Sequence, residues 1–318
     1  MAVPKEEDTA DPVVAVASGS VRTNTLENPN NPTVFFNGKY VAKESVSISP
    51  DDRGFLFGDG VYEVVRSYGG RFFALDAHLQ RMHNGLCELQ IRGVDAAAFA
   101  EICKQLLEKN DMGQDDALVY MQVTRGAAPR RHAFPNMPTT PTTYAVASPV
   151  QSRGDVSRGV KVITVPDVRW ARCDIKSVNL LANCLANQRA QEAGATEAIL
   201  VRDGVALEAT AASFFGVFDG EVRTAPKSNY ILPSITREAA LEMCREAGIP
   251  TCEAPIFVHD LASADELFLA GTTFELMPII EIDGRPVGNG RPGPVQQRLY
   301  ELFCRRTRGA EAGAAAGT

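Results

Sequence analysis

The pattern of hydrophobic and polar residues along the chain predicts short strands joined by tight turns. Five two-residue turn signals, each ending in Gly, lie beside runs rich in Val, Ile, Leu and Phe: Asn37-Gly38, Gly69-Gly70, Asp203-Gly204, Asp219-Gly220 and Asp283-Gly284. Gly, Asn and Asp tolerate the positive φ angles of the turns that close two-residue hairpins. We therefore predict five β-hairpins and much antiparallel sheet.

Helical periodicity alternates with these strands. Apolar residues recur at helical spacing over about 76–91, 94–109, 178–193, 235–247 and 294–305. The helices and hairpins interleave without a regular strand–helix–strand repeat. We therefore predict an α+β fold and not a parallel α/β ladder.

Composition divides the chain into four segments. Residues 1–32 are rich in Pro, Asn, Ala and acidic residues and have no sustained apolar period, which predicts a flexible N-terminal arm. Residues 307–318 have a similar character and predict a flexible tail. The polar stretch 148–158 is typical of a linker. We therefore expect a smaller α/β domain at 33–150 and a larger, cofactor-binding domain at 151–306.

Charge and cysteine content narrow the class of protein. The 318 residues carry a formal net charge of −7, which makes nucleic acid or an anionic membrane a poor partner. No apolar run approaches the about 20 residues of a membrane span. The seven cysteines include no CxxC pair, so neither a zinc site nor a disulfide framework is expected. Scattered reduced thiols favour the cytoplasm.

Signatures of several enzyme classes are missing from the sequence. There is no GxGxxG motif after a first strand, no P-loop, no HExxH and no GxSxG. The four histidines, His78, His83, His132 and His259, are too dispersed for an obvious metal site. We therefore predict no metal.

Two charged residues stand in apolar surroundings. Lys176 follows a strand pattern at 160–165 and precedes a run of small and apolar residues that predicts a helix from Ser177. Burial at such a junction would lower the pKa of the amine and make it a nucleophile, although the pattern also fits a partly exposed lysine at a helix N-terminus. Glu208 lies in the mostly apolar run 205–215, where it needs a partner unless it points to solvent.

Three further segments are candidates for binding anions. The helix N-terminus at 232–241 offers free N–H groups and hydroxyls, which also serve ordinary capping. Gly271-Thr272-Thr273 is a second turn of small and hydroxyl residues. The loop at 122–132 contains arginines and a histidine, and an arginine fork binds carboxylates. Each of these segments is also compatible with a solvated surface.

Together these segments resemble the fold-type IV (class IV) pyridoxal-phosphate-dependent aminotransferases, and within them the D-amino-acid transaminases. The resemblance covers about residues 34–305, and its specific segments are 52–54, 57–65, 122–132, 169–177 and 231–237. The loop Pro129-Arg130-x-His132 separates this branch from the branched-chain aminotransferases and from aminodeoxychorismate lyase. The resemblance implies a two-domain enzyme with the pyridoxal 5'-phosphate site between the domains.

The resemblance also implies a role for each matched residue. Lys176 would carry the cofactor as an internal aldimine and act as the general base, and Glu208 would pair with the pyridine nitrogen. The remaining cofactor contacts would come from Arg81, Leu232, Ile235, Thr236 and Thr272, and the substrate contacts from Tyr62, Arg130 and His132. Arg130 and His132 would reach in from the partner subunit, which implies a homodimer. The expected reaction moves the amino group of a D-amino acid, such as D-alanine, to a 2-oxo acid, such as 2-oxoglutarate.

One departure from the family pattern follows Glu208. The hydroxyl expected at Ala211 and the amide expected at Ser213 are both missing, which puts cofactor affinity and rate in doubt. The alternatives are a branched-chain L-amino-acid transaminase or an aminodeoxychorismate-lyase-like enzyme on the same fold. A more distant alternative is a non-catalytic protein that kept the fold as a binding module.

Overall fold

A computed structural model describes residues 32–151 and 154–309 of the chain. The predicted N-terminal arm, apart from its last residue, and the predicted tail beyond residue 309 lie outside these residues. Within them, strands form one six-stranded and one ten-stranded sheet, and six α-helices accompany the sheets. This mixture of hairpins and helices confirms the predicted α+β class.

The first sheet is antiparallel wherever its strands pair. Its members, in chain order, are β1 (Thr33–Phe36), β2 (Lys39–Ala42), β3 (Gly60–Tyr68), β4 (Arg71–Phe72), β5 (Ala117–Thr124) and β6 (Thr142–Pro149). Their spatial order is β2-β1-β6-β5-β3-β4. In β5, Ala117, Val119, Met121 and Val123 are buried, and the residues between them are less so. Because buried residues alternate with less buried ones, one face of the sheet points toward a hydrophobic core.

Three helices belong to the same half of the chain: α1 (Arg53–Phe57), α2 (Leu75–Glu88) and α3 (Phe99–Lys109). In α3, Phe99, Cys103 and Leu106 are buried at helical spacing and join the core beneath the first sheet. The sequence pattern did not predict α1. It begins after Asp52, whose carboxylate accepts the backbone N–H of Gly54 at 2.8 Å and caps this short helix.

The second sheet mixes parallel and antiparallel pairs. Its strands are β7 (Val160–Pro166), β8 (Glu197–Arg202), β9 (Val205–Ala209), β10 (Ser213–Phe218), β11 (Glu221–Thr224), β12 (Thr251–Glu253), β13 (Ile256–Phe257), β14 (Glu266–Gly271), β15 (Glu275–Ile282) and β16 (Arg285–Pro286). The order is β12-β11-β10-β14-β15-β7-β8-β9-β13, with β16 beside β15. An additional pairing of Glu208 with Ser213 joins β9 to β10 and closes six of these strands into a ring.

The helices of this second half are α4 (Leu181–Glu192), α5 (Ile235–Ala247) and α6 (Pro294–Arg308). The boundaries of α5 match the prediction because both ends are capped. The Ser234 hydroxyl accepts the backbone N–H of Arg237 at 3.2 Å, and Gly248 ends the helix at a φ of 66°. Ser/Thr N-caps and left-handed glycines are the ordinary signals for these two boundaries.

All five predicted hairpins are confirmed. Each turn signal joins two antiparallel strands that are consecutive in the chain. Positive φ angles occur at both residues of every turn, for example 46° at Asn37 and 83° at Gly38. Asn, Asp and Gly adopt such angles at a lower cost than other residues do, which is why these pairs predict the turns.

The helix predicted at 178–193 begins later than the prediction, at Leu181. Two of the residues before it pair with β3 instead, because Val61 and Ser177 form a β-bridge and Val178 donates its N–H to the carbonyl of Gly60 at 3.1 Å. Lys176 is therefore not at a strand–helix junction. It lies in a non-helical segment that pairs with β3.

The C-terminal helix extends into the predicted tail. Helix α6 runs to Arg308, whereas the tail was expected from residue 307. Thr307 is buried, and Arg308 forms an ion pair with Glu275 at 2.8 Å, so tertiary contacts prolong the helix. Among the described helices, none is both long and apolar enough to cross a membrane.

The first sheet ends at Pro149 and the second begins at Val160, and we propose the domain boundary between them.

Candidate active site

A cavity of about 270 Å³ gathers most of the residues predicted for the site. Those that line it are Tyr62, Arg81, Lys176, Glu208, Leu232, Ile235 and Thr272. They come from β3 and α2 of the first half and, in the second half, from β9, the segments that precede α4 and α5, the start of α5 and the β14–β15 turn. Residues that are far apart in the sequence therefore meet in one concave space.

The Lys176 amine is positioned by strand β3. The backbone N–H of Tyr62 donates to the carbonyl of Lys176 at 3.0 Å, and this bond sets the two residues side by side. The Lys176 Nζ then donates to the Tyr62 phenol oxygen at 3.3 Å and lies 4.3 Å from the ring centroid. The Tyr62 ring stacks on Tyr120 with centroids 5.6 Å apart. The amine is thus held against an aromatic face whose own position is fixed by packing.

Glu208 is buried, with 5% of the residue exposed, and does not point to solvent, a possibility that the sequence pattern left open. Arg169 Nη1 donates to its Oε1 at 2.5 Å, and the backbone N–H of Leu232 donates to its Oε2 at 3.1 Å. Burial raises the pKa of the Glu208 carboxyl, while the Arg169 guanidinium and the Leu232 amide act against that rise. The carboxyl group is therefore supplied with the partners that a buried acid needs.

Arg169 is a site residue that the sequence reasoning did not assign. It lines the cavity, and its Nε donates to Asp167 Oδ1 at 2.9 Å. Burial lowers the pKa of the Arg169 guanidinium, but Asp167 and Glu208 more than compensate and raise it. Arg169 therefore stays cationic between two carboxylates. The signal in the sequence was an Asp-x-Arg triplet directly after a strand, inside one of the matched segments.

Arg81 does not lie on a solvated helix face. Its guanidinium forms a two-point ion pair with Glu63, at 2.6 and 2.8 Å, and donates to the carbonyl of Pro233 at 3.0 Å. His78 Nδ1 lies 2.9 Å from the same Glu63 carboxylate. Burial raises the pKa of Glu63, but the positive charge and hydrogen bonds of Arg81, with the His78 hydrogen bond, hold it at about 2. Glu63, which lies in the matched segment 57–65 but was given no role there, thus fixes Arg81 beside the start of α5.

The N-terminus of α5 offers an anion site next to Arg81. In the part of the chain that the structure describes, the backbone N–H groups of Ile235 and Thr236 have no hydrogen-bond acceptor. Unpaired N–H groups and the helix dipole together favour a negative ligand. The Thr236 side chain is buried and does not line the cavity, so only its main chain remains for the predicted role.

Three small residues complete the cavity wall. Thr272 lies in the turn between β14 and β15, and Ala211 and Ser213 follow Glu208. Ala211 is exposed and Ser213 is buried, and both line the cavity. The positions where the family pattern was broken are therefore part of the site wall.

Arg130 and His132 do not line this cavity in their own chain. Both side chains are exposed on the loop between β5 and β6. The Arg130 guanidinium lies 5.3 Å from the Phe57 ring centroid, and the His132 ring meets the same Phe57 ring edge-on at 5.8 Å. The structure thus brings these two predicted residues together with each other but not with Lys176.

The groups around the cavity match the chemistry of pyridoxal phosphate. Lys176 could supply a primary amine for the aldehyde, Glu208 an acid for the basic ring nitrogen, and the start of α5 with Arg81 a phosphate site. These groups come from different elements around one cavity. The residues present therefore fit the cofactor that the sequence resemblance implied.

Comparisons with known proteins agree with this geometry. The model of a family described as amino-transferase class IV matches residues 60–282. The D-alanine aminotransferase of Bacillus licheniformis is 41% identical over 84% of this chain and 94% of its own length. That of Staphylococcus haemolyticus is 37% identical over 85% of this chain and 96% of its own. Among solved structures, the branched-chain amino acid aminotransferase from Escherichia coli has a TM-score of 0.79 and 25% identity, covering 88% of this chain and 96% of that one.

Proposed function

The chain belongs to the class IV aminotransferases, and we propose that it transfers the amino group of a D-amino acid, such as D-alanine, to a 2-oxo acid, such as 2-oxoglutarate. One observation carries the proposal: Lys176 and the buried, Arg169-paired Glu208 line the same cavity. The preference for D-amino acids is supported by the names of the relatives that are 37–41% identical.

The cofactor in this proposal is pyridoxal phosphate, whose ring withdraws the electrons left at Cα when the Cα proton departs. Arg81, the N–H groups at the start of α5 and Thr272 would hold its phosphate. Glu208, kept in place by Arg169 and the Leu232 amide, would hold a proton at the ring nitrogen. The Leu232 side chain would lie near the ring.

Lys176 is the base in this proposal. Its Nζ would accept the substrate Cα proton and would later return it. The hydrogen bond from Nζ to the Tyr62 phenol oxygen, at 3.3 Å, limits the positions that the amine can take. Precise placement of a general base contributes to rate as much as its basicity does.

The substrate carboxylate is held by Arg130 and His132 of a partner subunit. Two features support this placement. Both side chains are exposed and lie outside the cavity of their own chain. Apolar side chains that are 76% exposed lie nearby in the chain, Met137 on the same loop and Phe55 on α1. We therefore propose that the working enzyme is a homodimer.

Mixed dimers test this arrangement. Neither Arg130→Ala nor Lys176→Ala should be active alone at low substrate concentration. When the two are refolded together, a site built across the interface regains one intact copy, with Lys176 from one subunit and Arg130 from the other. Recovery of activity on mixing supports the proposal. No recovery, in a mixture shown by mass to contain hybrids, would mean that Arg130 serves its own subunit.

The reaction itself is tested by following pyruvate formed from D-alanine and 2-oxoglutarate. We expect turnover with the wild type and none with Lys176→Ala. Lys161→Ala is the matched control, because Lys161 is an exposed lysine on β7 that pairs only with Glu281 among the described residues. Pyruvate formation by Lys176→Ala at the control rate would refute the assignment.

A second candidate is a branched-chain L-amino-acid transaminase. It is favoured by the similarity to the branched-chain enzyme structure, with a TM-score of 0.79. L-leucine offered in place of D-alanine distinguishes the two candidates.

We further propose a cytoplasmic location, supported by the seven free cysteines. Cell fractionation with an antibody to the chain tests that location.

A further inference from the structure

The loop that presents Arg130 and His132 has little regular structure of its own. It runs from Arg125 to Pro141 between β5 and β6, and most of its residues from Pro129 to Thr140 are exposed. A loop of this kind needs fixed anchors if its side chains are to be presented in one arrangement. The structure supplies one from the first turn of α1.

Arg53 is that anchor. It is 3% exposed, and its Nε donates to Asp59 Oδ2 at 2.7 Å. Its Nη1 donates to the carbonyl of Arg131 at 2.6 Å, and longer bonds of 3.4 and 3.5 Å reach the carbonyls of His132 and Ala133. One buried guanidinium therefore bonds to three consecutive backbone carbonyls, those of Arg131, His132 and Ala133.

A second arginine, Arg125, also binds Asp59 but does not bind the loop carbonyls. Arg125 donates to both oxygens of Asp59, at 2.7 and 2.9 Å, and to the carbonyls of Gln90 and Leu89. Its guanidinium also lies 3.7 Å from the centroid of the Phe134 ring. Asp59 therefore keeps a two-point partner without Arg53. Loss of Arg53 would leave no unpaired buried carboxylate and should leave the fold intact.

Phe57 couples the anchor to the side chains of the loop. The Arg53 guanidinium lies 4.8 Å from the Phe57 ring centroid, and that of Arg130 lies 5.3 Å from the same centroid. The His132 ring packs on its edge. Arg53 thus fixes the backbone of the loop. Phe57, in the same short helix, contacts the side chains of Arg130 and His132.

We propose that Arg53 is a positioning residue for binding the substrate carboxylate: it holds the 131–133 backbone so that Arg130 and His132 are presented together. This inference rests on the proposed function, in which those two residues bind that carboxylate, and it applies whichever subunit they serve. Arginine is needed because its planar fork can donate to Asp59 and to a carbonyl at once, whereas a lysine ammonium cannot span both.

The test compares Arg53→Lys with Arg130→Ala and with the double variant. We expect Arg53→Lys to raise the KM for both acid substrates about ten- to a hundredfold, the range for loss of hydrogen bonds made by a charged group. The kcat and the visible absorbance of the bound cofactor should stay close to wild type, because the Lys176 cavity is untouched. In the Arg130→Ala background, Arg53→Lys should raise the KM by a smaller factor than in the wild type, since the part of its effect that acts through Arg130 is already lost.

Arg66→Lys is the matched control. Arg66 is also buried and ion-paired, with Asp116 and Glu275, but none of its described contacts reaches the loop. We expect it to change thermal stability without changing KM. If Arg53→Lys raises KM no more than Arg66→Lys does, or if its effect adds fully to that of Arg130→Ala, the positioning role is wrong.

The outcomes separate this inference from the function on which it rests. A wild-type KM in Arg130→Ala would remove the carboxylate-binding role and the positioning role with it. A raised KM in Arg130→Ala with a wild-type KM in Arg53→Lys would overturn only the positioning role.

Should Arg53→Lys fail to fold, Phe134→Ala replaces it, because Phe134 is 45% exposed and contacts both buried arginines. It too should raise KM and leave kcat unchanged, and an unchanged KM would count against the proposal.

Discussion

The Lys176 Nζ lies 3.3 Å from the phenol oxygen of Tyr62 and 4.3 Å from the centroid of its ring. The same two residues are joined through the main chain, where the Tyr62 N–H donates to the Lys176 carbonyl. The position of the amine is therefore set by strand β3 and not by the helix that follows the lysine in the sequence. Removing either hydrogen bond should change the reactivity of the Lys176 amine.

Tyr62→Phe should lower kcat about ten- to a hundredfold, less than the about 100- to 10,000-fold contribution of a proton-transfer group, because the hydroxyl only orients the amine. The ring remains, so the contact between the amine and the aromatic face and the stacking on Tyr120 survive. Only the hydroxyl that orients the amine is lost. Steady-state kinetics with D-alanine measures the effect. Tyr40→Phe, on β2 away from the cavity, is the control, and equal rates for the two variants would contradict the role of the hydroxyl.

Arg169→Met should lower the free energy of unfolding by about 3 kcal/mol, because it leaves the buried Glu208 carboxylate without its ion-pair partner. The double variant Arg169→Met with Glu208→Gln should be more stable than Arg169→Met alone, since no unpaired charge remains. Denaturant unfolding of both apoproteins measures the difference. Equal stability of the single and double variants would show that Glu208 does not depend on Arg169.

Stability at acid pH should depend on Glu63. Its pKa in the folded protein is about 2, below its ordinary value of 4.5, mainly because Arg81 outweighs the effect of burial. A lowered pKa means that the stabilisation is complete above pH 4.5 and is lost as the pH falls toward 2. The wild type should therefore lose about 3 kcal/mol more than Glu63→Gln across this window. Urea unfolding at a series of pH values checks this, and parallel curves for the two proteins would disprove it.

Ala211→Ser should make the protein retain pyridoxal phosphate more tightly. Ala211 is exposed and lines the cavity three residues after Glu208, and serine there restores the hydroxyl expected from the family pattern. One new hydrogen bond to a charged ligand corresponds to a gain of about tenfold in affinity or more. Fluorescence titration of the apoprotein with the cofactor measures it. Ala128→Ser, a buried alanine outside the cavity, should leave the affinity unchanged.

Local chemistry explains what could be predicted from the sequence. The hairpins depend on the φ angles of two adjacent residues, and the ends of α5 depend on Ser234 and Gly248, so a short stretch of sequence contains the whole signal. The family motifs in the same way identified Lys176 and Glu208 without any knowledge of their surroundings. The apolar run around Glu208 left open whether its carboxyl group is buried or points to solvent, and only the structure shows that it is buried.

The partners of those residues were decided only by the tertiary structure. Tyr62 is 114 positions from Lys176, Arg169 is 39 from Glu208, and Arg53 is 78 from the Arg131 carbonyl. Contacts at such separations depend on how the sheets and helices pack, and no local pattern records them. For the same reason the first residues predicted for α4 are not helical, because Ser177 and Val178 pair with β3. The sequence determined which groups are available for the proposed chemistry, and the packing of distant elements determined where each group lies and what holds it there.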